Sequence, residues 1–262
     1  MSLTSLQIVL AVFSGLIVGF SLGLIGGGGS ILAVPLLMYL VGLNRPHLVI
    51  GTTALAVSIN AYLNLYPHWR AGHVKWKAAI VFAIPGILGD FVGSTVGKLV
   101  NGKDLLFLFA LLMLVVAVLM LRPGKGGTGQ AYQWSTKDYK KVVPAGFVVG
   151  LVSGFFGIGG GFLIVPGLVF STGMPLIMAI GSSLFSVGTF GLTTAVNYAL
   201  SGLVAWMVVV EYVGGGLLGG FLGARLATRL SSQKRVLNYV FSGIIVIVAL
   251  YMLDLNISAL HL

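Results

Sequence analysis

Apolar residues in this chain run in long unbroken blocks, and polar residues collect between them. The first half has five such blocks, roughly Leu6–Ile25, Ile31–Leu43, Val49–Tyr66, Ala78–Val100 and Leu105–Leu121. The second half has five more, roughly Val142–Phe156, Phe162–Thr172, Leu176–Leu200, Val204–Leu226 and Val236–Leu253. A bilayer core of roughly 30 Å is crossed by about 20 helical residues, so most blocks predict transmembrane helices. The second block of each half is too short to cross upright and follows a glycine cluster. It predicts a tilted, broken or re-entrant helix.

Composition narrows the class. Of 262 residues, 58% are hydrophobic and 8% are charged, against about 25% charged in a soluble domain. With a mean hydropathy of +1.07, the chain predicts an all-α polytopic membrane protein with about eight to ten transmembrane segments. Soluble enzymes, nucleic-acid-binding modules and disulfide scaffolds are excluded. The chain has no Cys, and its four His (His47, His68, His73, His261) lack metal-ligand spacing, so neither a metal nor another cofactor is expected. The first apolar block has no basic residue ahead of it and no A-x-A cleavage pattern, and it reads as a retained membrane segment.

Glycine supplies 39 residues, and its placement repeats. An offset of 131 residues brings Gly15, Gly19, Gly23, Gly28, Gly29, Pro35 and Gly42 onto Gly146, Gly150, Gly154, Gly159, Gly160, Pro166 and Gly173. After a one-residue gap an offset of 130 brings Gly51, Gly72, Trp76, Gly86, Gly89 and Gly93 onto Gly181, Gly202, Trp206, Gly216, Gly219 and Gly223. The chain therefore predicts a tandem duplication, with repeats at residues 1–122 and 142–262 and a polar linker at 123–141.

The net charge of +10 is explained by topology, because the charges sit at block ends. If the first two blocks of each half return the chain to its starting side, one face carries Arg70, Lys75, Lys77, Arg122, Lys125, Lys137, Lys140, Lys141, Arg225, Arg229, Lys234 and Arg235. Only Arg45, Lys98 and Lys103 remain for the other. By the positive-inside rule the linker is cytoplasmic and both termini are external. Five segments per half is odd, so the repeats are expected to be inverted, as in many secondary transporters.

The clusters Gly26–Ser30 and Gly157–Gly161 are the first candidates for chemistry. Glycine permits backbone that other residues cannot adopt, and a helix starting there aims N–H groups at an anion. Gly28, Gly29, Ser30, Gly159, Gly160 and Gly161 are therefore candidate substrate-binding residues. The bland alternative is close helix packing, the better reading for the small-xxx-small pairs Gly19/Gly23 and Gly150/Gly154. Thr52 and Thr53 match Ser182 and Ser183, giving each half paired hydroxyls that could donate to an oxyanion or bond back to the preceding helical turn. Asn64 and Thr194 are matched candidates; Asn60 and Asn197 are unmatched ones. Asp90 and Glu211, the acidic residues within apolar blocks, are candidate proton-coupling groups, with a neutral hydrogen-bonded carboxyl as the alternative. No catalytic residue is expected.

The motifs G-L-I-G-G-G-G-S-I-L-A-V-P and G-F-F-G-I-G-G-G-F-L-I-V-P, with G-T-T and G-S-S downstream, resemble the TauE/SafE sulfite exporter family over nearly the whole chain. The resemblance implies a non-enzymatic secondary transporter of the cytoplasmic (inner) membrane that moves sulfite, sulfonates or similar anions, commonly outward. Its expected partners are a small anionic substrate and the lipid bilayer, with glycine faces available for self-association and no nucleic acid. The rival readings are a passive anion channel and a membrane scaffold without transport.

Overall fold

The computed structural model describes residues 3–121, 134–157, 161–229 and 234–260. Most of the linker, Gly159 and Gly160 lie outside the described residues. The elements are α1 Ser5–Ile25, then a discontinuous helix, and α3 Pro46–Arg70, α4 Trp76–Leu99, α5 Gly102–Leu121, α6 Thr136–Phe156, α7 Gly161–Thr172, α8 Leu176–Ala199, α9 Trp206–Arg229 and α10 Lys234–Leu260. The discontinuous helix passes from a 3-10 segment, Gly26–Leu32, through one α turn, α2 Ala33–Pro35, into a π segment, Leu36–Leu40. Among the described residues there is no strand, and six helices are long and apolar enough to cross a membrane: α1, α3, α4, α6, α8 and α9.

Capping follows local chemistry. Thr4 and Gln7 form a capping box at the start of α1, and Pro46 takes the first turn of α3, where a missing N–H costs nothing. Among the described residues six glycines have positive φ: Gly26, Gly42, Gly72, Gly157, Gly173 and Gly202. The first three map onto the last three by the repeat offsets, so both halves turn at the same points for the same steric reason.

Packing is reciprocal between the halves. Helix α1 lies against α9 and α6 against α4, while α3 meets α8, and α5 meets α10. The first two pairings are parallel crossings at glycine. Gly15, Gly19 and Gly23 abut Tyr212, Gly216 and Gly220, and Gly146, Gly150 and Gly154 abut Phe82, Gly86 and Asp90. A Cβ on these glycines would enter the partner's backbone, so close approach explains the small-xxx-small spacing. Helices α3 and α8 run antiparallel: Ser58 Oγ donates to the Gly188 carbonyl at 2.6 Å, Tyr62 meets Thr189, and Gly191 faces Ala54.

Candidate functional site

The two glycine clusters meet. Gly27, the second residue of the 3-10 segment, lies backbone to backbone with Gly161, the first residue of α7, and a Cβ on either would overlap the backbone of the other. The first cluster is itself helical rather than a loop ahead of a helix, because 3-10 winding takes up its N–H groups from the fourth residue onward. Gly28 and Gly29 lie within this segment, and Gly29 packs so close to α1 that a Cβ would sit 2.5 Å from Leu22 N. The Gly27 N–H donates to Ser183 Oγ at 3.4 Å, and Ser30 Oγ donates to the Gly27 carbonyl at 2.9 Å. Gly27, Ser30, Gly161 and Ser183 thus form one neutral cluster in the bundle interior.

The remaining hydroxyls lie elsewhere. Thr52 Oγ1 donates to Leu48 O at 2.6 Å and accepts the Ala205 N–H at 2.9 Å. Its counterpart Ser182 accepts the Lys75 N–H at 2.8 Å. Each hydroxyl caps the start of a helix of the other half, α9 for Thr52 and α4 for Ser182, at opposite ends of the bundle. Thr53 bonds back to Val49 O at 2.9 Å and Ile50 O at 3.0 Å.

Asp90 is fully buried in α4. Thr194 Oγ1 donates to its Oδ2 at 2.8 Å, and its Oδ1 has no hydrogen-bond partner among the described residues. Above it, Asn197 Nδ2 donates to Ser94 Oγ at 2.7 Å and to Thr95 Oγ1 at 3.0 Å, while Lys98 Nζ donates to Asn197 Oδ1 at 2.7 Å and Ser201 Oγ at 3.0 Å. Sequence reasoning took Lys98 only as a topological charge. Its spacing of eight residues from Asp90 was the available signal for a shared helix face. Glu211 is partly exposed on α9, away from this ladder. Asn64, the counterpart of Thr194, donates to Asn60 O at 2.9 Å and faces Gly23 and Gly220. Tyr212 and Tyr198 were missed: both are buried with hydroxyls unpartnered among the described residues.

Long apolar helices, a discontinuous helix at an interior polar cluster and a buried carboxyl define a polytopic α-helical membrane transporter. The chain belongs to the sulfite exporter TauE/SafE family, whose model matches residues 11–252. It is 52% identical over 253 residues to a probable membrane transporter protein of Xylella fastidiosa strain Temecula1, covering 96% of this chain and 97% of that one. The probable membrane transporter protein YunE of Bacillus subtilis is 28% identical, over 82% of this chain and 86% of its own. A probable membrane transporter protein of Methanocaldococcus jannaschii is 27% identical, over 73% and 71%. No solved structure matches the chain.

Proposed function

We propose that this protein is a secondary transporter that carries small sulfur-containing or organic anions, such as sulfite or a sulfonate, outward across a bacterial-type inner membrane. The observation that carries the reading is the meeting of Gly27, near the start of the discontinuous helix, with Gly161, the first residue of the short helix α7, beside Ser183 and Ser30. Backbone N–H groups and hydroxyls can hold an anion without the desolvation cost of a buried ammonium. Gly28, Gly29, Gly159 and Gly160 belong to the same paired motif. Thr52, Thr53, Ser182, Asn64 and Thr194 lie away from this cluster and remain candidate contacts along the path, where each would have to exchange an internal hydrogen bond for ligand.

An inverted arrangement of the repeats 1–122 and 142–262, with about eight to ten crossings, is supported by the antiparallel run of the equivalent helices α3 and α8. It is also supported by the reciprocal pairs Thr52 with Ala205 and Ser182 with Lys75. Arg45, Lys98 and Lys103 fall at the end where α3 starts, and Arg70, Lys75 and Lys77 at the other, in line with a cytoplasmic linker and external termini. Self-association through glycine faces would have to use glycines other than those taken up inside the chain. An outward-moving anion gains about 2.3 kcal/mol per charge per 100 mV from an inside-negative potential. Asp90 is the better placed of the two carboxyls for proton coupling, being buried and bonded to Thr194.

The test is flux into and out of liposomes containing the purified protein, with sulfite, thiosulfate, sulfonates, sulfate and carboxylates offered in turn. Saturable flux of one sulfur-containing or organic anion is expected. Flux linear in concentration would instead mark a passive channel, and no flux would leave only the scaffold reading.

A further inference from the structure

The two halves differ at a buried aromatic position. Phe82 of α4 and Phe190 of α8 stack with ring centroids 6.3 Å apart, and Phe190 covers Gly86 so closely that a Cβ there would enter its ring. The offset of 130 residues carries Phe82 to Tyr212, Phe190 to Asn60 and Gly86 to Gly216. Asn60 covers Gly216 as Phe190 covers Gly86. An apolar stack in one half is therefore replaced in the other by a carboxamide and a phenol.

Both replacements are 0% exposed, and among the described residues Asn60 Nδ2, Asn60 Oδ1 and the Tyr212 hydroxyl have no hydrogen-bond partner. A buried donor or acceptor left unpaired costs about 1–3 kcal/mol. The fold does not require that cost, because the same backbone positions in the other half are filled by Phe. The broken helix differs at the matching place as well. Phe82 rests against Gly167, where α7 is regular: a Cβ on Gly167 would lie 3.1 Å from Phe82 Cζ. The residue equivalent to Gly167 is Leu36, the first of the π segment. π segments recur at functional sites, since they break the regular hydrogen-bond ladder.

We propose that Asn60 and Tyr212 form a neutral subsite for one end of a small oxyanion, between α1, α3, α9 and the discontinuous helix. Asn60 Nδ2 and the Tyr212 hydroxyl donate to anion oxygens. Asn60 Oδ1 accepts from a protonated oxygen of the ligand or from a water carried with it. The subsite exists in one half only, so the passage is chemically one-sided although its backbone is repeated. This inference rests on the anion-transport reading.

The experiment measures concentration-dependent sulfite flux in liposomes for the full chain, Tyr212→Phe and Asn60→Leu, with thermal unfolding in detergent alongside. The expected result is a half-saturating sulfite concentration raised about tenfold or more in each variant, the loss of one hydrogen bond to a charged ligand. Melting temperatures should be unchanged or higher, because unpaired polar atoms have been removed. Unchanged half-saturation in Tyr212→Phe, which deletes a single oxygen and keeps the ring, overturns the subsite even if Asn60→Leu does not fold. If the unsubstituted chain carries sulfite while both variants match it, only the subsite fails. If it carries another of the offered anions but not sulfite, the variants are compared on that anion; if it carries none of the sulfur-containing or organic anions, the transport reading fails with the subsite.

Discussion

Thr194 Oγ1 donates a 2.8 Å hydrogen bond to Asp90 Oδ2, tying α8 to α4 inside the bundle. The positions 130 residues away hold Asn64 and Gly220, so this hydrogen-bonded carboxyl has no equivalent at that offset. A buried carboxyl near a polar ladder is a natural proton carrier. Asp90→Asn is expected to remove the dependence of anion flux on an imposed pH gradient at clamped voltage, with anion binding largely retained. Glu211→Gln, on the partly exposed part of α9, is expected to keep that dependence. Gradient-driven flux that survives in Asp90→Asn would exclude this carboxyl as the coupling group.

Thr52 and Ser182 cap helices of the opposite half, and removing either hydroxyl leaves a backbone N–H without its acceptor. Thr52→Val and Ser182→Ala are each expected to destabilise the protein by about 1–3 kcal/mol. Thr52→Ser should hold stability near that of the unsubstituted chain. Thermal unfolding in detergent gives the comparison. A raised half-saturation with unaltered stability would instead move these hydroxyls into the substrate path.

Gly19 and Gly150 are expected to tolerate not even a methyl group, since a Cβ would lie 2.6 Å from Gly216 Cα in one case and 2.7 Å from Gly86 Cα in the other. Gly19→Ala and Gly150→Ala should each cost about 1–3 kcal/mol through overpacking. Gly214 is the control: it lies in α9 with nothing within 4 Å of a built Cβ. Gly214→Ala is expected to be neutral or to stabilise by up to about 1 kcal/mol through helix propensity. Equal melting temperatures for all three variants would contradict the parallel glycine crossings.

A cysteine placed at Thr128 in this Cys-free chain reports the side of the linker. Labelling by an impermeant maleimide is expected only after the cytoplasmic face is opened. Reaction in intact cells would reverse the assigned topology.

The recurring turns were legible in the sequence because glycine is placed by backbone geometry. Where φ is positive at Gly26 and Gly157, or at Gly72 and Gly202, no other residue serves as well, and the pairs stand at the repeat offsets. The short second blocks were legible for a similar reason, since block length against bilayer thickness is simple arithmetic. The 3-10 winding of Gly26–Leu32 was not, because glycine permits both loop and helix and only the approach of Gly161 and Ser183 selects between them.

By itself, then, the sequence determined an all-helical membrane chain, the spacing of its turn glycines, its charged block ends and its family, all of which depend on residue type and spacing along one dimension. The tertiary structure decided which polar groups have partners. Thr52 and Ser182 spend their hydroxyls on Ala205 and Lys75, more than a hundred residues away, whereas Asn60 and Tyr212 have no partner among the described residues. Hydrogen bonding depends on distances between helices, and those distances arise only when glycine faces such as Gly19 and Gly216 close on one another.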